Sequence, residues 1–189
     1  MTSPVYQLSD DYIERLAALD PGSATYMGIA GYDDKMTDFS PAGHDARSEL
    51  DSSTLKKLNT LDTSDPADRL AAGVFREALE MNEADYSANE HLRSIRIIAG
   101  DVDAARSVFD LMPTETASNW ETIADRLSQV PAAFDGMCES WKLGIERGAI
   151  AQRRQVLAVS EQLAVWAGLR GNSGFFDDFV SGAANVAGA

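Results

Sequence analysis

The chain has 189 residues, 44% of them apolar, and a formal net charge of −14. That is enough length and enough apolar surface for one folded domain, and too much apolar surface for intrinsic disorder. The first ninety residues hold 18 acids and 7 bases, a field that repels phosphate backbones and anionic lipid. Nucleic acid and membrane surfaces are therefore excluded as expected partners.

The N-terminus, Met-Thr-Ser-Pro-Val-Tyr-Gln, has neither a basic stretch nor an apolar run of the kind that directs secretion. No apolar segment approaches membrane-spanning length, so the expected compartment is the cytoplasm. Ser9 ahead of Asp10 and Asp11 predicts a helix start, and Tyr12, Ile13, Leu16 and Leu19 form its apolar stripe. Asp20-Pro21 ends that helix and opens the next, with Asp20 as cap. Gly28 and Gly31 bracket a turn.

Asp33, Asp34 and Asp38 crowd the loop that follows, with His44 close behind. These four residues are the metal candidates the chain offers. The EF-hand pattern fails from Asp33, because Lys35, Asp38 and His44 stand where the third ligand, the glycine and the glutamate belong. Carboxylates that cap turns and helix starts are the favoured reading.

Ser40-Pro41 and Asp65-Pro66 repeat the helix-start grammar. Leu50, Leu55, Leu58 and Leu61 give the apolar face of the helix after the first, and Leu70, Val74, Ala78 and Met81 that of the helix after the second. Residues 95–99 fit either a short strand, from their alternating isoleucines, or the end of a long helix closing at Gly100. Asp101 to Leu111 reads as a helix closed by Pro113. Ser118-Asn119-Trp120-Glu121 reads as a capping box.

Pro131 starts a further helix with Phe134, Met137, Cys138, Trp141 and Ile145 on its buried face. Cys138, the single cysteine, is expected to be a buried, inert thiol. The last long helix presents Gln152, Val156, Val159, Leu163 and Trp166, and Phe175, Phe176, Phe179 and Val180 make a final apolar turn. The sum is an all-α, bundle-like domain of about seven to nine helices over residues 1–180, with residues 181–189 as a flexible tail.

Catalytic motifs are absent. A zincin site needs two histidines one helical turn apart, and this chain's two, His44 and His91, are far apart in sequence. There is no nucleophile elbow and no phosphate-binding glycine loop.

Two stretches carry a resemblance. One runs from Leu19-Asp-Pro-Gly-Ser-Ala-Thr-Tyr-Met-Gly28 through Thr37-Asp-Phe-Ser-Pro41; the other is Val108-Phe-Asp-Leu-Met-Pro-Thr-Glu-Thr-Ala-Ser-Asn-Trp120, continued by Ile145-Glu-Arg-Gly148. Together they resemble the N-terminal region of DUF885 family proteins, with Phe109, Asp110, Met112, Pro113 and Trp120 as the structural signature. The resemblance implies a mostly helical, metallopeptidase-like protein whose zinc ligands lie in a His-Glu-x-x-Pro-Gly-His motif of a C-terminal half. No residue here matches that motif, so no metal, cofactor or catalytic residue is expected in this chain. It is then expected to be a truncated, catalytically silent scaffold or cleft wall. Its partner would be that C-terminal half or another protein. The alternative is a stand-alone helical interaction module. An enzyme built on Asp33, Asp34, Asp38 and His44 ranks last.

Overall fold

A computed structural model describes residues 3–186. Within them the regular secondary structure is all helical, with α1 at Pro4–Leu19, α2 at Pro21–Met27, α3 at Pro41–Leu58 and α4 at Pro66–Ser87. The second half holds α5 at Asp101–Ser107, α6 at Ala117–Leu127, α7 at Val130–Glu146, α8 at Arg153–Trp166 and α9 at Phe175–Ser181. Short 3-10 turns stand at Glu90–Arg93, Val108–Leu111 and Gly182–Asn185. Among the described residues there is no strand, and no helix is long and apolar enough to cross a membrane.

Proline punctuation sets the first four helices. Ser3, Asp20, Ser40 and Asp65 each accept a backbone N–H with their side chain, and each precedes a proline. Such caps satisfy donors that have no partner inside the helix. The first helix therefore begins at Ser3-Pro4, six residues before the predicted start at Ser9, which lies mid-helix. The capping box also shifts: Thr116 Oγ1 accepts from Asn119 N at 3.2 Å and Asn119 Oδ1 accepts from Thr116 N at 3.0 Å. The shift follows from reach, because Asn119 bonds back to Thr116 and Ser118 is already inside the helix.

Three apolar clusters hold the fold. Helices α1, α3 and α4 enclose Val5, Tyr12, Leu50, Leu58, Ala72 and Leu79. Inside this cluster Tyr12 donates a 2.7 Å hydrogen bond to Asp51, and burial pushes the Asp51 carboxyl up. A second cluster joins Phe39, Val102, Ala105, Ala133, Met137 and Val159. The third packs Val108, Phe109, Met112, Trp120 and Ile123 under Phe176, Phe179 and Ala183.

Helix α7 is the spine between the layers. A Cβ at Gly136 would lie 2.8 Å from Ser40 N, and one at Gly144 would lie 2.5 Å from Leu92 O. Both glycines thus let α7 lie backbone against backbone, and Ser140 fixes the register by donating to Phe39 O at 2.7 Å.

Several expectations are corrected. On α4 the inward residues are Ala72, Phe75 and Leu79, whereas the predicted face points out: Leu70 is 72% exposed, Val74 62% and Met81 61%. Both phases satisfy a helical period, and packing against α1 and α3 selects the one with the smaller residue at position 72. Residues 95–99 form neither strand nor helix: α4 ends at Ser87, and Asn89 and Ala99 take positive φ, which breaks any regular element there. On α7, Cys138 and Ile145 are exposed, because the helix buries its small residues, Ala133, Gly136, Ser140 and Gly144, along the contact line. Packing extends past residue 180, as Ala183 and Val186 lie on the third cluster. Residues 187–189 of the predicted tail lie outside the described residues.

Candidate functional site

Of the four residues singled out for metal binding, Asp33, Asp38 and His44 have hydrogen-bonded side chains, and Asp34 is held by its backbone carbonyl. Asp33 accepts a 2.7 Å bond from Thr25 Oγ1 and lies 3.9 Å from the guanidinium of Arg126. Asp34 offers its carbonyl to Gln129 Nε2 at 2.7 Å. Asp38 accepts from Ser40 N at 2.8 Å, and its carbonyl accepts from Arg47 at 2.8 Å. The loop is a structural latch, and Arg126 is its bolt. This fully buried side chain donates to Lys35 O at 2.8 Å, Tyr32 O at 2.9 Å and Thr25 Oγ1 at 2.9 Å.

His44 has a different setting, one the sequence did not disclose. The start of α3 meets the 3-10 turn after α4, which puts the His44 and His91 rings 4.9 Å apart between centroids. Tyr86 stacks on His91 at 4.6 Å and hydrogen-bonds Asp45. Arg47 Nη2 lies 3.0 Å from His44 Nδ1. A guanidinium can only donate, so the His44 proton resides on Nε2, which is buried without an acceptor. A ring nitrogen already facing a permanent cation is a poor metal ligand. Among the described residues no three His, Cys, Asp or Glu side chains converge on a common point, so the zinc implied by the resemblance has no fitting donor set here.

Burial, with Arg47 and His91 adding to it, pushes the His44 imidazole down to about 4, and burial also lowers His91. The sign follows directly. Above pH ~6.5 both folded and unfolded chains carry neutral histidine, and nothing is lost. Between ~6.5 and about 4 the unfolded chain binds protons that folded His44 refuses, so stability falls as pH falls. Asp101 acts oppositely: burial raises its carboxyl to about 6, so its contribution is lost as pH rises through that value. The two are separated by mutation. Between pH 7 and pH 4, wild type is expected to lose on the order of 2–3 kcal/mol more than His44→Gln does. Urea denaturation across that range measures the difference, and parallel pH profiles for the two proteins would refute it.

The strongest candidate for a binding site lies beyond these residues, between the irregular segment 90–98 and the start of α8. A cavity of about 320 Å³ is lined by Glu90, Arg93, Ser94, Arg96, Ile150, Ala151, Gln152 and Gln155. It adjoins a second, of about 410 Å³, lined by Arg96, Ile97, Ile98, Arg154, Gln155 and Ala158. Arg96 and Gln155 border both, so the two form one groove. Asn89 and Ala99 take positive φ at the two ends of the 90–98 segment, which forms one wall. Arg93 is committed to Glu90 in a two-pronged ion pair, whereas among the described residues Arg96 makes a single side-chain hydrogen bond, at 3.5 Å to Ser94 Oγ. Ile98 is 73% exposed. The groove thus offers guanidinium and amide donors at one end and aliphatic surface at the other. That combination suits a peptide-like ligand with a carboxylate. Ser94, one of its lining residues, is hydrogen-bonded to Asp101. In the sequence the groove is signalled by Ile97 and Ile98, whose spacing also fits a strand.

The family model described as a bacterial protein of unknown function (DUF885) matches residues 21–187. The chain belongs to the DUF885 family. A search of curated proteins finds no match. The match spans α2 from Pro21 onward, the Arg126 latch, the histidine pair and the groove, so these features lie within the DUF885 region. The signature residues of the resemblance are structural. Phe109 sits in the third cluster, edge-on to Phe176 at 5.8 Å; Asp110 pairs with Arg106; Met112 is buried. Trp120 donates to Thr114 O at 3.0 Å across the turn that Pro113 begins.

Proposed function

We propose that this DUF885 chain is the substrate-binding wall of a metallopeptidase-like hydrolase, and that it is catalytically silent by itself. The observation that carries the reading is the groove along residues 93–98 and α8. There a strongly acidic protein turns Arg96, Arg154 and two glutamines outward beside bare isoleucines. The resemblance to DUF885 proteins motivates it, and no His-Glu-x-x-Pro-Gly-His run occurs in the 189 residues. The groove binds an extended peptide through its terminal or side-chain carboxylate and seats an aliphatic side chain on Ile97 and Ile98. Hydrolysis falls to a metal-binding part that this sequence does not contain, and this chain contributes orientation.

Titrating short peptides ending in an aliphatic residue into the ¹⁵N-labelled chain tests the reading. Shifts are expected at residues 93–98 and 150–158, and Arg96→Glu should weaken binding at least ~10-fold by removing a charge-assisted bond and adding repulsion. With zinc added, the purified chain should hydrolyse none of them. Turnover by this chain alone would overturn the silent-wall reading, and shifts confined to other surfaces would overturn the groove.

A second reading, a stand-alone helical interaction module, is favoured by one observation: the apolar stripe left uncovered on α4.

A further inference from the structure

Helix α4 exposes Leu70, Val74, Ala78 and Met81, at steps of four, four and three. At ~1.5 Å per residue this is a straight stripe of about 16 Å, three turns of a facing helix. An exposed apolar ridge of that spacing is how helices present anchors to other helices. Methionine at its end adapts to the shape it meets.

Gly73 sharpens the point. It lies inside α4 beside Leu70 and Val74, and a Cβ there would touch nothing. Glycine in a helix interior is unfavourable relative to alanine, and no packing among the described residues calls for it. It leaves a notch in the middle of an open hollow bordered by Pro66, Arg69, Leu70, Val74 and Glu77. A notch of this kind lets a second backbone come close.

The charges around the stripe choose the occupant. Glu77 borders the hollow, and Glu80 and Asp85 are exposed on the same helix. The helix's two arginines are occupied: Arg69 donates to Ser64 O and Arg76 to Asn59 Oδ1. The net field is negative, like that of the whole front half of the chain. A second copy would bring acid against acid in a symmetric pair, and anionic lipid would be repelled. We infer that the α4 stripe is a docking surface for a basic amphipathic helix of a partner protein, whose apolar ridge crosses Gly73 and whose lysines or arginines flank Glu77 and Glu80. This site is separate from the groove and holds whether or not the groove binds peptide.

Fluorescence anisotropy with the full chain tests it. The probes are two labelled helical peptides of one leucine pattern, one flanked by lysines and one by glutamates. The lysine peptide is expected to bind with micromolar affinity that falls as salt rises, and the glutamate peptide at least ~10-fold more weakly. Val74→Ser with Met81→Ser should abolish binding. Gly73→Gln should do so too while leaving the fold at least as stable, because glutamine favours helix and its side chain meets open space. Unfolding curves for each variant separate lost binding from lost structure. Equal binding of both peptides, binding that survives the Gly73 and Val74 changes in folded protein, or a dimer that Val74→Ser dissolves would each overturn the inference.

Discussion

Replacing Arg126 by alanine is expected to destabilise the protein by about 3–5 kcal/mol, the range for deleting one member of a buried, hydrogen-bonded charged group. The guanidinium is wholly inaccessible and holds two backbone carbonyls and a threonine hydroxyl at 2.8–2.9 Å. Truncation strands those acceptors in a space sealed from water and removes the counter-charge of Asp33. Arg126→Lys should recover only part of the loss, because one ammonium cannot span the directions of Tyr32, Lys35 and Thr25. Urea midpoints give the magnitude, and limited proteolysis gives the place: cleavage should appear first within residues 28–38. A loss below ~1 kcal/mol would mean that the loop holds its shape without the arginine.

Phe109→Ala should cost a similar ~3–5 kcal/mol, by emptying a site too well packed to collapse. Phe109 is 1% exposed and lies edge-on to both Phe176 and Phe179. Aromatic pairs of that geometry add to the burial term. The damage should be local before it is global. Amide exchange should accelerate in α9 and the turn after it, while α1, α3 and α4, which share the first cluster, stay protected. Uniform acceleration across all helices would show one cooperative core instead.

The helical grammar was legible because its signals are local. Asp20-Pro21, Ser40-Pro41 and Asp65-Pro66 each begin a helix where the side chain and the ring require it. Ser3-Pro4 obeys the same grammar, and the acids at Asp10 and Asp11 drew the expected start away from it. On α4 two apolar stripes share one period, and spacing alone favoured the larger residues at 70, 74 and 81. Only contact with α1 and α3 shows that Ala72 and Leu79 face inward.

Tertiary features left no local trace. Nothing in Ile123-Ala-Asp-Arg126 announces an inaccessible arginine, since its acceptors lie about ninety to one hundred residues earlier. His44 and His91 meet because a turn follows α4, where a continuous helix was one of the two expectations. The groove depends on positive φ at Asn89 and Ala99, residues that carry no glycine signal.

The glycine contacts of α7 also bear on how the chain reaches its structure. Helices α1, α3 and α4 lie within the first ninety residues and can associate as soon as that part of the chain is available. The seat for α7 is different: Ser140 bonds to Phe39 across 101 residues, and Gly136 rests on Ser40. Loops of that length close at an entropic cost before any contact offsets it, and chains rich in such contacts fold slowly. The seating of α7, like the closing of the Arg126 latch, is therefore expected late in refolding. Until it is complete, the Phe39 and Leu92 backbones that will lie against α7 stand open, and the Arg126 latch is left to tie the two halves of the chain together.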